Sequence, residues 1–260
     1  MRALLLCLAA CGVNATPQPA PVPTLPSCIP NRDGVITADE LPIALGATLD
    51  YYDSTNAPVN LVGANGIWDM SSEVASDTIV ALGPVELGPQ WYASQFPGSQ
   101  FVVDAGGGLD GVYHQDAEAL WLDGTASQTP MPAAGKTLIR YTDPAAVLRF
   151  PISDGDAFST TAQLAGATID GLPFIGTDQI DVDVTGSGRL DVPYTEFSPA
   201  LRVRTHVVRA SGAVSVGKRT TIFLFECFGE VAHAESKQNE PDADFTTAAV
   251  LRRFALGETP

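Results

Sequence analysis

Glycine and proline set the rhythm of this chain, and that rhythm most limits how it can fold. The 24 Gly and 20 Pro outnumber the 14 Lys and Arg. Turns are frequent and long amphipathic runs are few, which predicts short strands in place of helices. From residue 47 onward, short apolar or alternating segments are separated by turns: 47–52, 78–82 and 100–103, then Gly106-Gly107-Gly108 with Asp110-Gly111 as a flexible turn, and Gly124 as another. Residues 138–141 and 147–150 read as two more strands, with Pro151 ending the second.

The C-terminal half is the more regular. Ile180, Val182 and Val184 alternate with Asp181 and Asp183, the period of a strand with one wet face. Gly186-Ser187-Gly188 reads as a turn, followed by strand-like residues 189–193 and 201–208. Residues 220–227 and 231–236 flank Phe228-Gly229-Glu230, a bent strand or hairpin. In residues 245–255, Phe245, Ala249, Val250 and Phe254 fall near helical spacing, so this segment is a short closing helix or a last strand. The expected fold is mainly β: an antiparallel, β-sandwich-like domain over residues 28–256 with one or two short helices. It is one unit or two halves meeting near 125–135. The chain is long enough to bury a sizeable core in either case.

Several stretches of this half are similar to a pattern in secreted bacterial proteins of unknown function. They are Gly186-Ser187-Gly188, Leu190-Asp191-Val192-Pro193, Phe197 and Leu201-Arg202-Val203-Arg204, then residues 225–232. The resemblance covers less than half of the chain. It implies a β-rich, envelope-associated domain and supplies no activity.

The amino terminus carries Met1-Arg2 and then an apolar run over residues 3–10. A basic start, an apolar run and small residues make a secretory signal over residues 1–10. Leu8-Ala9-Ala10-Cys11 resembles the lipobox of bacterial lipoproteins. The resemblance implies diacylglycerol on the Cys11 thiol, cleavage before Cys11, acylation of the new amino terminus and attachment to a membrane through that lipid anchor. Gly12 stands where an Asp would favour the inner membrane, so the resemblance leans to an outer-membrane lipoprotein of the cell envelope. Several acyl chains on one residue meet the need for more than one chain in a stable anchor. Residues 13–27 hold five prolines among small polar residues and read as an extended stalk.

With Cys7 leaving in the signal and Cys11 lipidated, Cys28 and Cys227 remain. In an oxidising compartment they are one pair. A disulfide between them would staple the N-terminal segment onto a C-terminal strand; two buried free thiols are the alternative. Residues 31–40 have the shape of an EF-hand loop. With Gly34 at position six, Asn31, Asp33 and Glu40 land on ligand positions three, five and twelve. The first position is Ile29, so any calcium here lacks its first ligand. The other reading is an Asp-Gly turn, with Thr37 and Glu40 as a capping box.

No motif fixes a chemistry. The three histidines are His114, His206 and His233, and no Gly-x-Ser-x-Gly elbow occurs. His114, near Asp110, Asp116 and Glu118, is the best lone base; His206 reads as a strand-face residue. Glu226 and Glu230 bracket Cys227 among Phe223, Phe225 and Phe228. They form either a desolvated catalytic pair or a buried pair bonded to Arg202 or Arg204. Asp181 and Asp183 share a face that either binds calcium or is simply solvated. Tyr51, Tyr52, Trp91, Tyr92, Tyr113 and Trp121 form a sugar-stacking platform if exposed, and a core if not. The net charge is −16, and −17 once Arg2 is removed. That charge argues against nucleic acid and anionic headgroups and leaves cations, cationic partners and neutral polymers. The expected role is non-catalytic binding or structural work at the envelope, with a protein or polysaccharide partner and no assigned catalytic residue or cofactor. The alternative is an extracellular hydrolase of polysaccharide or peptide working through a carboxylate pair.

Overall fold

A computed structural model describes residues 27–256. Cys11, the signal and stalk residues 13–26 lie outside the described residues. The strands are β1 (Val35–Ile36), β2 (Leu49–Pro58), β3 (Ile67–Asp69), β4 (Thr78–Leu82), β5 (Val85–Glu86), β6 (Phe101–Gly106), β7 (Leu109–Gln115), β8 (Ala119–Ser127), β9 (Leu138–Arg149), β10 (Ile152–Ser153), β11 (Ala157–Ile169), β12 (Leu172–Val192), β13 (Thr195–Ser211), β14 (Val214–Phe225), β15 (Gly229–Glu235) and β16 (Thr247–Phe254). The helical content described is two single 3-10 turns, Ala38–Glu40 and Ala93–Gln95. The protein is mainly β and antiparallel, as its turn-rich sequence predicts. None of the described helices is long and apolar enough to cross a membrane.

One sheet runs β4-β2-β16-β15-β14-β13-β12-β11-β9-β8-β7-β6-β5, with β3 added to β12 in parallel; β1 and β10 form a separate pair. Its two end strands, β4 and β5, are separated in sequence by Gly83 and Pro84 alone. The sheet therefore curls until its ends adjoin. It also folds over on itself. A β-carbon at Gly106 on β6 would lie 3.6 Å from the Arg252 guanidinium on β16, nine places away along the sheet.

The strands are longer than the glycine spacing suggests. β12 runs for 21 residues, straight through Gly186-Ser187-Gly188, which is not a turn. A β-carbon at Gly188 would sit 2.3 Å from the Gly66 carbonyl, and one at Gly186 would sit 3.2 Å from the Trp68 ring. These glycines mark where β3 lies against β12, and the β12–β13 register slips on either side of them. Gly124 is likewise inside β8, where a β-carbon would meet the Ile139 carbonyl at 2.0 Å. Asp110-Gly111 lies in β7, while Gly107 and Gly108 alone separate β6 from β7. Segment 138–141 and residues 147–149 are the two ends of the single strand β9, which stops one residue before Phe150. Residues 247–254 form a strand, because β15 and β2 pair with them on both sides. Positions 125–135 are the end of β8 and its connection into β9, whose hydrogen bonds join them in one sheet.

The inner strands are buried on both faces. Phe223 and Phe225 on β14 pack with Trp68, Val192, Phe197 and Phe254, while Leu224 between them packs with Val184, Leu201 and Val203. Full burial of each such side chain contributes roughly 1.5–3 kcal/mol.

Candidate functional site

Most of the candidate residues near the start of the domain meet at one place, the β14–β15 turn. Cys28 and Cys227 form a disulfide there, with Cα atoms 5.5 Å apart. Cys227 sits in the turn itself, not on a strand as expected from sequence. Around it residues 28–41 are held as a strap. The Cys227 N–H donates to the Glu40 carbonyl at 2.7 Å. The Arg32 N–H donates to Glu226 Oε2 at 2.7 Å. Gln115 on β7 donates from Nε2 to the carbonyls of Ala38 and Leu41.

Within the strap Asn31, Asp33 and Glu40 do come together, but through each other. Asn31 Nδ2 donates to Glu40 Oε1 at 2.8 Å, and Asn31 Oδ1 accepts from the Asp33 N–H. Asp33 Oδ1 accepts from the Val35 N–H. Glu40 Oε2 accepts from the Thr37 N–H and hydroxyl, the capping box that the sequence suggests. Their oxygens are thus engaged in building the turn, and no cluster of three or more His, Cys, Asp or Glu suited to a metal occurs among the described residues.

Glu226 and Glu230 sit in different elements and have different partners. Glu226 is 1% exposed and lies in the turn, its Oε1 without a hydrogen-bond partner. Glu230 lies beyond the turn, 3.2 Å from His233 Nδ1. Neither carboxylate bonds Arg202 or Arg204, contrary to the buried-pair reading. Arg202 donates to the Thr185 hydroxyl and carbonyl and to the Leu61 carbonyl, over the Trp68 ring. Burial lowers its pKa, with Arg204 adding to the effect. Arg204 pairs with Asp244. The cross-strand pairing of Arg202 and Arg204 with β14 leaves both guanidiniums short of the turn.

His114 lies on the β7–β8 hairpin, and its partner is Asp123, a residue that sequence reading misses. Nδ1 is 2.9 Å from both Asp123 oxygens, and the ring stacks against Trp121 at 6.0 Å. Asp123 is one strand across and displaced by the register shift beside Gly124, so no simple spacing reveals the pair. An acid that orients an imidazole is half of a hydrolytic triad. The nearby hydroxyl of Ser99, however, donates to Asp123 and not to the histidine. Asp116 accepts from the N–H groups of Ala119 and Glu118 and from the Trp121 indole, which hold its carboxyl below the usual range. Asp110 is buried and accepts from the Tyr92 hydroxyl at 2.5 Å. Glu118 is exposed.

The wet face of β12 is as expected: Asp181 stands across from His206, and Asp183 across from Arg204. Asp181 is bonded by Gln179 and Ser159, which lower its pKa. Burial lowers the His206 pKa, and Arg219 on its other side adds to that. None of the six aromatics proposed for a sugar platform is exposed. Tyr51 and Tyr92 are buried, and burial pushes the Tyr113 phenol up to about 12. They are dispersed over β2, the 3-10 turn region, β7 and β8 and share no platform.

Among the described residues, the clefts include two that adjoin charged side chains. One of about 180 Å³ lies between Leu148, Arg149, Phe158 and Val182, with the Arg149 guanidinium 4.5 Å above the Phe158 ring. The other, about 70 Å³, lies between Arg204, His206, Arg219 and Ala243. Both are smaller than the ~300–1,000 Å³ typical of small-molecule sites.

No family model, curated protein or solved structure matches this chain.

Proposed function

We propose that this chain is a lipid-anchored protein of the bacterial cell envelope, held at the outer membrane through Cys11, with a non-catalytic binding or structural role. The observation that carries the reading is the clasp at Cys28. A tether ending at Cys11 enters the folded domain at the very residue that is covalently fixed to Cys227. Tension on the stalk would then pass into the β14–β15 turn in the middle of the sheet, not into a fraying terminus. Glu226 and Glu230 are engaged by different partners, the Arg32 N–H and His233 Nδ1, which supports binding over a carboxylate-pair hydrolase.

The test is an intact mass of the protein recovered from a bacterial membrane fraction, beside a Cys11→Ala variant. The expected mass is that of residues 11–260 plus acyl chains, less two hydrogens for the bridge. An unlipidated protein free in the medium would sink the anchor and favour a diffusible enzyme.

A further inference from the structure

The larger cleft lies where two strands part. β9 and β11 are paired at Leu138–Thr168 and Tyr141–Leu164, both toward one end. Toward the other end Leu148 and Arg149 stay paired with β8, while Ala157 and Phe158 stay paired with β12. The gap between them is the cleft of about 180 Å³. Its floor is apolar, since Leu148, Ile152, Val182 and Val184 are buried beneath it.

Two exposed charged side chains line the rim, Arg149 on β9 and Asp156 in the turn that leads into β11. The Arg149 guanidinium stacks 4.5 Å above the Phe158 ring. Stacking holds its plane and leaves the N–H groups at its edge available. Among the described residues the Arg149 side chain makes no hydrogen bond or ion pair. Asp156 is pinned to the floor strand: the Val184 N–H donates to the Asp156 carbonyl at 2.8 Å, and the Gly155 N–H donates to the Val184 carbonyl at 2.9 Å. Asp156 Oδ2 accepts from the Ser153 N–H at 2.7 Å, which orients the carboxylate, and Oδ1 has no partner among the described residues. The cleft therefore presents one cation and one anion, neither of them ion-paired, above an apolar floor. The smaller cleft differs, because its Arg204 is already paired with Asp244.

We propose that the larger cleft binds a free aliphatic α-amino acid, with its carboxylate on the Arg149 guanidinium, its ammonium on Asp156 and its side chain against Ile152, Val182 and Val184. The inference rests on the binding role proposed above, names its ligand class and does not depend on the anchor at Cys11. Guanidinium and carboxylate pair through two parallel, charge-assisted hydrogen bonds. A neutral apolar ligand would strip water from both charges and return nothing to either. A simple anion or cation would satisfy one of them. The volume, equal to roughly six water molecules, suits an amino acid better than a peptide or a sugar chain.

The test uses the full oxidised chain carrying Cys11→Ala, with L-leucine as the probe and titration calorimetry as the readout. The expected result is saturable binding, weakened about tenfold or more by Arg149→Gln and by Asp156→Asn. Isocaproate, which lacks the ammonium, should respond to Arg149→Gln and ignore Asp156→Asn. Isoamylamine, which lacks the carboxylate, should do the reverse. A variant that merely loosened the fold would weaken both analogues alike. Ala157→Trp fills the cleft from its exposed rim and should abolish binding while the melting transition is retained. Arg140 is exposed on the same strand outside the cleft, so Arg140→Gln should bind leucine as the parent does. Failure to saturate at about 10 mM leucine would overturn the site, as would leucine binding that survives both charge variants or equal losses for the two analogues. Each of those results leaves a lipidated mass, and with it the envelope reading, intact. An unlipidated mass beside saturable leucine binding would remove the anchor and keep the site.

Discussion

Arg253 donates to the Asp77 carboxylate at 2.5 Å from inside the protein, where its side chain is 1% exposed. The same guanidinium reaches the carbonyls of Met70 and Ser72, and Asp77 also accepts from the Ser54 hydroxyl and the Val74 N–H. One charge pair thus ties β16 to the loop between β3 and β4. Breaking it strands a charge that burial has already stripped of water. We expect Arg253→Ala to lower unfolding free energy by about 3–5 kcal/mol, read by urea denaturation at neutral pH. A loss under about 1 kcal/mol would show that the pair is solvated in solution.

Asp77 also makes acid stability predictable. Burial works against its ionised form, but the bonds from Ser54, Val74 and Arg253 outweigh burial and hold its carboxyl below the usual range. Asp69, Asp116 and Asp181 are lowered as well. A carboxyl that is more acidic folded than unfolded stabilises the protein above the unfolded value, about 4, and loses that stabilisation as pH falls through the folded one. The melting temperature should hold from pH 7 to about 5 and drop below about 4. Asp77→Asn should flatten part of that drop; an unchanged acid limb in this variant would remove Asp77 from the account.

The fold class was legible because turn residues and period-two runs are local signals. The capping box at Thr37 and the β14–β15 hairpin were legible for the same reason. Strand length was not. Gly124, Gly186 and Gly188 look like breaks when read along the chain, and only the approach of Ile139, Trp68 and Gly66 from elsewhere explains them. The His114–Asp123 and Arg253–Asp77 pairs were hidden because their registers depend on a bulge and on a crossover. Nothing in 30 acids distinguishes Asp77 or Asp123 before those elements are placed.

Gly188 gives a direct check on that account. A β-carbon there would lie 2.3 Å from the Gly66 carbonyl and 3.0 Å from the Trp68 ring, so β3 would have to move off β12. Gly188→Ala should cost about 1–3 kcal/mol, the usual range for overpacking. Gly88→Ala, where nothing lies within 4 Å, should stay within about 0.5 kcal/mol of the parent. Equal effects at the two sites would mean that backbone freedom, and not the approach of β3, sets the requirement for glycine.

Calcium can be tested on the strap. Asn31, Asp33 and Glu40 accept from, or donate to, one another and the turn's own N–H groups. A cation would have to displace those bonds without a first-position carboxylate. A thermal melt should therefore read the same in EDTA and in millimolar calcium. A rise of several degrees with calcium would show that the loop reorganises around the ion.

The clasp supplies the last prediction. The bridge joins residues 199 apart, so in the unfolded chain it closes nearly the whole domain into one loop. The chain-entropy estimate for such a loop is about 5 kcal/mol, and loss of a native bridge typically costs 2–5 kcal/mol. Cys227→Ser should lower stability within that range. Hydrogen exchange should separate the global effect from the local one. Strap residues 28–41 retain the bonds from Gln115 and to Glu226 after reduction, but lose their covalent hold, so their amides should exchange faster by a larger factor than those of β14. The native protein should titrate with no free thiol at Cys28 or Cys227. Two free thiols in folded protein would remove the clasp, and with it the path by which a tether at Cys11 loads the sheet.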